Sequence, residues 1–176
     1  MQQKEQMIVL VDELDNEVGL MEKMEVHQKG LLHRAFSVFI FNSHNEMLLQ
    51  RRAVSKYHSG GLWTNACCSH PYPGELVNDA AERRLSEEMG FTAKLEFAFN
   101  FTYNASLDKG LIEHEFDHVF IGKHDGIVNL NFSEAGDYCF KSMADLKNEL
   151  ALHPLKYTIW FRIAFPLLEK YLIKSS

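Results

Sequence analysis

The stretch Ser69–Phe91, SHPYPGELVNDAAERRLSEEMGF, carries the most regular pattern in the chain. Apolar residues recur in it at every fourth position, namely Val77, Ala81, Leu85 and Met89. This spacing predicts a helix over Val77–Met89 with one buried face. Gly90 follows directly, and glycine is the residue type that most often ends a helix. The preceding Pro-Tyr-Pro-Gly predicts a turn, so we expect a loop that leads into a helix.

Segments of strand-forming residues lie on both sides of this helix. They are Ala35–Phe41, Glu46–Arg52, Lys94–Tyr103 and Glu115–Gly122. The polar residues Asn42–Asn45 separate the first two segments and predict a hairpin. Helices and strands that alternate in this way predict an α/β (α+β) fold, with a mixed β-sheet between helices.

Two helices are predicted near the C-terminus. Ser142 and Asp145 form a capping-box pattern that opens a helix from Met143 to about Leu152. The segment Lys156–Leu172 is apolar nearly all round and predicts a terminal helix bent at Pro166. No repeat or linker-like composition divides the chain. We therefore expect a single domain over residues 1–176, with a helical extension from about residue 155.

Composition narrows the class of protein. The chain has 176 residues, 46% of them hydrophobic, which is enough for a core of its own. A net charge of -6 argues against a nucleic-acid surface. Three cysteines do not make a disulfide framework, and the apolar run Met7–Val11 is too short for a signal peptide or a membrane span. We expect a soluble, cytoplasmic protein without nucleic-acid or membrane partners.

The loop Thr64–Glu75 brings unusual groups together. Cys67 and Cys68 are adjacent, a poor geometry for a disulfide with each other, and His70 follows closely. A structural core rarely holds thiol, hydroxyl and imidazole groups side by side. The loop is therefore a candidate for chemistry.

A second candidate is the strand IEHEFDHVF. Alternation places Glu113, Glu115 and Asp117 on one face, and His114 and His118 on the other. Two carboxylates two positions apart can converge on one cation. The alternative is a solvent-facing acidic edge, with both histidines in packing or surface positions.

Further histidines could complete a metal site. His27 and His33 lie on either side of a glycine turn before the first long strand. Together with His70 and the two glutamates they would supply nitrogen and oxygen ligands suited to Mn²⁺, Zn²⁺ or Fe²⁺. Each histidine taken alone is more often a surface residue than a ligand, and spacing does not show whether these segments meet.

Basic residues accompany these candidates. Lys23, Arg52 and Lys56 are either solvated charges at strand ends or a cluster that suits a phosphorylated substrate. On the predicted helix, Arg84 and Glu88 lie beside the buried stripe and can face a cleft, whereas Arg83 and Glu87 point away and fit a surface ion pair. Tyr103 and Trp160 fit core positions, and Cys139 a buried, unreactive one.

Taken together, these segments resemble the Nudix family, and within it the type I isopentenyl-diphosphate isomerases. The Nudix box falls on Ser69–Phe91 and is matched at Glu75, Arg83, Leu85, Glu87, Glu88, Gly90 and Phe91. Ser69 stands where the box has its first glycine, and Arg84 where it has a glutamate. The second change puts a cation where the box has a metal-binding carboxylate, which argues against a multi-metal hydrolase site. The isomerase family shows the same altered box.

Other isomerase signatures are LLHRAFSVFIFN, LLQRRAVSK, WTNACCSHP, Tyr103, EHE and Trp160, so the resemblance covers roughly Lys23 to Trp160. It implies that Cys68 is the catalytic thiol and Cys67 a bystander. It implies a site for Mn²⁺ or Zn²⁺ formed by His27, His33, His70, Glu113 and Glu115. Glu88 would hold a Mg²⁺ that arrives with the diphosphate. Lys23, Arg52, Lys56 and Arg84 would bind the diphosphate, and Tyr103 and Trp160 would be active-site aromatics.

The implied reaction converts isopentenyl diphosphate into dimethylallyl diphosphate by a 1,3-proton shift through a tertiary carbocation. Cys68 and Glu115 would act from opposite sides of the substrate, and the resemblance does not decide which one donates the proton. Two other functions are considered: a Nudix hydrolase of diphosphates, and a non-catalytic metal or redox sensor that uses Cys67 and Cys68. Whether the protein is a monomer or a dimer stays open.

Overall fold

The computed structural model describes residues 6–175. In chain order the elements are β1 (Met7–Val11), β2 (Glu17–Glu22), α1 (Lys23–Lys29), β3 (His33–Phe41), β4 (Met47–Arg52), β5 (Trp63–Asn65), β6 (Cys67–Ser69), α2 (Val77–Met89), β7 (Glu96–Ser106), β8 (Ile112–Lys123), β9 (Ala135–Lys141), α3 (Met143–Leu152) and α4 (Ile159–Ser175).

The long elements expected from the sequence are present. Helix α2 has the predicted bounds, β3 and β4 form the predicted hairpin, and β7 and β8 match the two later strands. Helix α3 begins after Ser142, whose Oγ accepts a hydrogen bond of 3.1 Å from the backbone nitrogen of Asp145. The capping box is therefore confirmed.

Several short elements were not predicted. They are the β1–β2 hairpin, helix α1, the three-residue strands β5 and β6, and β9. Helix α4 begins at Ile159 rather than Lys156, because Pro154–Lys156 form a separate 3-10 turn. The helix continues through Pro166, and the bend at this residue stays a prediction. No helix within residues 6–175 is long and apolar enough to cross a membrane.

Strand β3 organises the part of the sheet that matters for function. It pairs in parallel with β8, from His33 opposite Glu115 to Phe41 opposite Lys123. It also pairs in antiparallel with β6, where Ser37 lies opposite Cys68. Because side chains alternate along a strand, these two registers decide which side chains of three strands share a face.

Each face of the sheet is covered by a helix. On one face, α2 packs on β3 through Phe36, Val38, Ile40, Ala81, Leu85 and Met89. On the other face, α4 packs on the sheet through Phe39, Val119, Trp160, Phe161 and Phe165. The buried stripe predicted for α2 and the placement of the sheet between helices are thus confirmed. We keep the single domain over residues 1–176 as a proposal, since residues 1–5 and 176 lie outside the described part.

Gly90 allows a later segment to pack on the end of α2. It adopts a left-handed conformation with φ of 72°, and a Cβ atom there would lie 2.2 Å from the carbonyl oxygen of Asn129. The backbone nitrogens of Asn129 and Asn131 donate hydrogen bonds of 3.0 and 2.9 Å to the carbonyl oxygens of Met89 and Glu88. The segment that follows is thereby tied to the helix.

We predict that Gly90→Ala lowers the free energy of unfolding more than Gly110→Ala does. Both glycines have positive φ, for which a side chain costs about 1–2 kcal/mol. Only Gly90 meets a backbone carbonyl, whereas nothing lies within 4 Å of the corresponding position at Gly110. Urea unfolding of both variants measures the difference, and equal losses would show that the contact with Asn129 is unimportant.

Candidate active site

The two adjacent cysteines point to opposite faces of the sheet. Cys67 lies opposite Val38 and belongs to the core beneath α2, where it is fully buried. Cys68 lies opposite Ser37 and faces the other side, where it lines a cavity. Two adjacent residues therefore provide one thiol buried in the core and one thiol that a ligand can reach.

Three histidines and a glutamate form a buried cluster. The ligand atoms of His27, His33, His70 and Glu113 all lie within 4.8 Å of one another. His27 comes from α1, His33 begins β3, and Glu113 lies on β8. The structure thus brings together four residues that sequence spacing alone could not connect. The alternative of a solvent-facing acidic edge is wrong, because Glu113, Glu115 and Asp117 are all buried.

The hydrogen bonds around the cluster leave lone pairs directed into it. The Nδ1 atoms of His27 and His33 lie 2.6 and 2.8 Å from the carbonyl oxygens of Lys23 and Leu31. Because a carbonyl only accepts, both Nδ1 atoms must donate, and in a neutral ring this leaves Nε2 as the acceptor. This is the usual arrangement of a histidine that binds a metal.

One of these acceptors, Nε2 of His27, faces a carboxylate rather than a donor. His27 Nε2 lies 3.3 Å from Glu113 Oε2, and neither atom has a hydrogen-bond partner among the described residues. Two facing acceptors are stable only with a cation or a proton between them. The donor set of nitrogen and oxygen atoms fits a divalent transition metal. The cluster could therefore hold a metal ion.

Glu115 lies beside the cluster and is held by several groups. Its Oε2 accepts a 2.7 Å hydrogen bond from the hydroxyl of Tyr103, and its Oε1 lies 3.1 Å from Nε2 of His70. Burial raises the pKa of this carboxyl group, but hydrogen bonds and charge from His33 and His70 outweigh burial and hold the pKa well below its usual value. These contacts favour the carboxylate form of Glu115.

Cys68 is part of a small polar network. Its Sγ donates a 3.0 Å hydrogen bond to Oδ1 of Asn65 and lies 3.5 Å from Oγ of Ser37, which itself donates to Asp117 Oδ2 at 2.7 Å. Burial and the nearby Asp117 raise the pKa of the thiol, against the effect of the hydrogen bonds. The sulfur therefore carries its proton at neutral pH.

The predicted cations surround the same cavity. Lining residues from the predicted site are Lys23, Arg52, Lys56, Cys68, His70, Arg84, Glu88, Tyr103, Glu113, Glu115 and Trp160. Burial lowers the pKa of Lys23, as expected for an ammonium group withdrawn from solvent. The cations are therefore not merely solvated strand ends.

Arg84 and its neighbour Arg83 have different partners. Arg84 contacts Glu88 at 2.7 Å and Glu87 at 2.6 Å, and the second oxygen of Glu88 accepts a hydrogen bond of 2.8 Å from Gln50. Arg83 forms the expected contact with Glu87 at 3.3 Å, but it binds Glu75 more closely, through two hydrogen bonds of 2.7 and 2.8 Å. Arg84 and Glu88 face the cavity, as predicted.

Trp160 belongs to the α4 core and also borders the cavity, so both sequence interpretations of this residue hold. Its Nε1 donates a 2.9 Å hydrogen bond to Oγ1 of Thr64. The guanidinium of Arg52 lies over the indole ring, 5.1 Å from its centroid. Tyr103 likewise packs in this core while it donates to Glu115.

The remaining candidate residues lie elsewhere. Nδ1 of His114 lies 3.0 Å from the carbonyl oxygen of Gly30, and Nε2 of His118 lies 3.0 Å from Asp15. Both have structural partners, as expected for packing positions. Cys139 is only partly buried, so its predicted burial was too strong, although burial still raises its thiol pKa.

Sequence reasoning missed several residues that line the cavity, among them His58 and Glu134. His58 is buried beside Glu113, and Glu134 contacts both Lys56 and Arg84, the latter at 3.2 Å. Both lie in connecting segments without any periodic pattern. The available signal for His58 was its closeness in sequence to two predicted cations.

Comparison with known proteins places this site in a family. The family model of the NUDIX domain matches residues 31–161. Two solved structures share the fold. DR0079 from Deinococcus radiodurans has a TM-score of 0.71 and 17% identity, and the match covers 84% of this chain and 90% of that one. A MutT protein from Methanosarcina mazei has a TM-score of 0.65 and 20% identity, and the match covers 82% of this chain and 96% of that one. The fold and the site therefore define a NUDIX-domain protein.

Relatives at higher identity narrow the class. Isopentenyl-diphosphate Delta-isomerase 2 of Aromatoleum aromaticum is 53% identical over 156 residues, which cover 89% of this chain and 82% of that protein. Isopentenyl-diphosphate Delta-isomerase of Pectobacterium atrosepticum is 49% identical over 164 residues, which cover 93% and 92%. The chain belongs to the isopentenyl-diphosphate Delta-isomerase family of NUDIX proteins, as the altered box indicated.

We predict that Mn²⁺ or Zn²⁺ raises the thermal unfolding midpoint of the metal-free protein, and that His33→Asn abolishes this effect. A ligand that binds only the folded state contributes about 2.7 kcal/mol when its free concentration is about 100 times its Kd. His44→Asn, in the exposed β3–β4 turn, is the control and should keep the full shift. The same shift in both variants would place the metal elsewhere.

Proposed function

We propose that the cavity converts isopentenyl diphosphate into dimethylallyl diphosphate, with Cys68 and Glu115 as the two proton-transfer groups. The observation that carries this proposal is the register of β3, with Cys68 of β6 and Glu115 of β8 on one face of the two strands that pair with it. Both side chains line the same cavity, together with cations suited to a diphosphate. The printed names of the relatives support the same reaction.

The chemistry requires more than an acid and a base. A proton is added to C4 of the alkene, which leaves a tertiary carbocation at C3, and a proton is then removed from C2. A positioned acid or base contributes only about 10²–10⁴-fold. Because the interconversion is reversible, the group that donates in one direction accepts in the other. The raised pKa of Cys68 favours the thiol and the lowered pKa of Glu115 favours the carboxylate, so the pair offers one donor and one acceptor.

Trp160 is the residue best placed to stabilise the carbocation. A cation over an indole ring gains about 2 kcal/mol when both are withdrawn from water. In the structure the guanidinium of Arg52 takes this position. We expect Arg52 to turn towards the diphosphate when substrate binds, which would free that face of the ring. The buried aromatic side chains also exclude water, which would otherwise trap the cation.

The diphosphate end of the substrate supplies binding energy away from the reacting carbons. Lys23, Arg52, Lys56 and Arg84 would hold it and thereby orient the alkene between the two proton-transfer groups. Glu88, whose carboxylate contacts Arg84 and Gln50, is the proposed ligand for a Mg²⁺ that neutralises the diphosphate further.

We assign His27, His33, His70 and Glu113 as ligands of the buried metal site, with Glu115 as the fifth ligand. The proposed ion is Mn²⁺ or Zn²⁺. When bound, this ion would supply positive charge that keeps Glu115 ionised and fixed in orientation. The position of Cys68 does not depend on this ion, because hydrogen bonds with Asn65 and Ser37 hold its sulfur.

The two other functions fit the structure less well. A hydrolase with several metals would need a carboxylate at position 84, where Arg84 instead binds Glu88. A redox sensor would need Cys67 and Cys68 to act together, but their side chains lie in different cores. A cytoplasmic location also stays a proposal; Cys67, Cys68 and Cys139 are free thiols, as is usual in a reducing compartment.

We predict that the purified protein, incubated with isopentenyl diphosphate and Mg²⁺ in heavy water, yields deuterated dimethylallyl diphosphate, and that Cys68→Ala loses at least about 10²-fold in rate. Cys67→Ala should retain most of the activity, because Cys67 faces the core beneath α2. Mass spectrometry of the product measures the exchange. Equal losses in the two variants would refute the assignment of the thiol, and phosphate release without product would favour a hydrolase.

We also predict that Glu88→Gln weakens the Mg²⁺-dependent binding of inorganic diphosphate while the protein stays folded. The amide keeps the size of the side chain but removes the charge that Mg²⁺ requires. Glu87→Gln is the matched control, since Glu87 lies on the same helix, is exposed and does not line the cavity. Calorimetric titration and thermal unfolding separate the two effects. A Glu88 variant that unfolds but binds normally when folded would assign this residue a purely structural role.

A further inference from the structure

His58 lies between two parts of the site and has no role in the proposed reaction. It belongs to the segment that connects β4 to β5 and is only 4% exposed. Its ring meets the indole of Trp160 edge-on, with centroids 5.6 Å apart and planes at 88°. On its other side its Nε2 lies 3.4 Å from Oε1 of Glu113. One side chain thus contacts both the aromatic wall and the histidine cluster.

The two oxygens of Glu113 have different surroundings. Oε2 faces the Nε2 atoms of His27 and His33, at 3.3 and 3.9 Å, and has no hydrogen-bond partner among the described residues. Oε1 faces His58 instead. The separation of 3.4 Å slightly exceeds the usual hydrogen-bond range of about 2.7–3.2 Å, so a small shift completes the bond. The carboxylate therefore presents one oxygen to the cluster and the other to His58.

The segment around His58 is itself well held. Nη2 of Arg52 donates a 3.2 Å hydrogen bond to the carbonyl oxygen of His58, and the backbone nitrogen of Gly61 donates to the carbonyl oxygen of Arg52 at 3.0 Å. The ring of Tyr57 packs edge-on against the imidazole, with centroids 4.3 Å apart. The imidazole is thus placed by its surroundings before any ligand binds.

We propose that His58 is a positioning residue that orients Glu113 for metal binding. The imidazole ring of His58 also packs against Trp160 and holds the indole in place. This inference rests on the metal site of the proposed function. Groups that hydrogen-bond to a ligating carboxylate fix its orientation, and their loss typically weakens metal binding about 10–100-fold. His58 acts on the metal through Glu113, not as a ligand, because its Nε2 is directed to the oxygen that faces away from His27 and His33.

The test measures metal affinity without substrate, by competition with a chromophoric chelator for Mn²⁺ or Zn²⁺. The variants are His58→Leu, which keeps the bulk but has no donor, and His58→Gln, whose amide nitrogen can donate at a similar reach. We expect the Kd of His58→Leu to rise about 10–100-fold and that of His58→Gln to stay close to wild type. His44→Leu, in the exposed turn, is the control and should not change the Kd.

Three results would overturn the proposal. Wild-type affinity in His58→Leu would show that Glu113 needs no such support. Equal weakening in His58→Leu and His58→Gln would show that shape rather than the hydrogen bond matters. A loss as complete as that of His33→Asn would make His58 a direct ligand.

Two further measurements keep the test independent of folding and of the proposed reaction. Circular dichroism of the metal-free proteins checks folding, and His58→Met, which also has no donor, replaces the leucine variant if that variant does not fold. Isomerase turnover of the wild type is measured in parallel. A wild type that binds metal but gives no dimethylallyl diphosphate would refute the proposed function, while the affinities of the variants would still decide the role of His58.

Discussion

The site depends on one constraint, the register of β3 with its neighbours β6 and β8. Because β3 pairs with both strands, its alternation decides at once where the side chains of all three point. Ser37 opposite Cys68 and His33 opposite Glu115 put the thiol and the carboxylate on the same face. A shift of one residue in β6 would instead bring Cys67 to the cavity and bury Cys68 beneath α2. The full burial of Cys67 in the core beneath α2 opposes such a shift.

Prediction from the sequence worked where a pattern is long enough to exclude other structures. The stripe of α2 and the alternation of β8 span many residues, so both elements and their faces could be predicted. Helix α1 and strand β6 are too short for periodicity to define them. The position of His27 depends on α1, and that of Cys68 on β6. For these residues the resemblance to a family, not local pattern, supplied the expectation, and their convergence became visible only in three dimensions.

The environment of the acidic strand also could not be predicted from local sequence. Charged residues at alternate positions usually mark a solvated face, because burial of a charge is costly. Here that cost is offset by partners from distant parts of the chain: histidines from α1 and β3 beside Glu113, and the hydroxyl of Tyr103 beside Glu115. No window of sequence contains these partners together. A buried acidic strand is therefore a consequence of tertiary pairing.

The change at position 84 shows how the NUDIX fold can serve a different reaction. A carboxylate there would add to the negative charge of Glu87 and Glu88 on α2, an arrangement that gathers several metal ions. Arg84 instead neutralises both neighbours and also contacts Glu134, which in turn contacts Lys56. The helix then presents a balanced group of charges that can hold a diphosphate with few metals. Under the proposed function, the loss of this carboxylate disfavours a metal-assisted attack on phosphorus, and a substrate held by its diphosphate end would meet the thiol and carboxylate on the other face of the sheet.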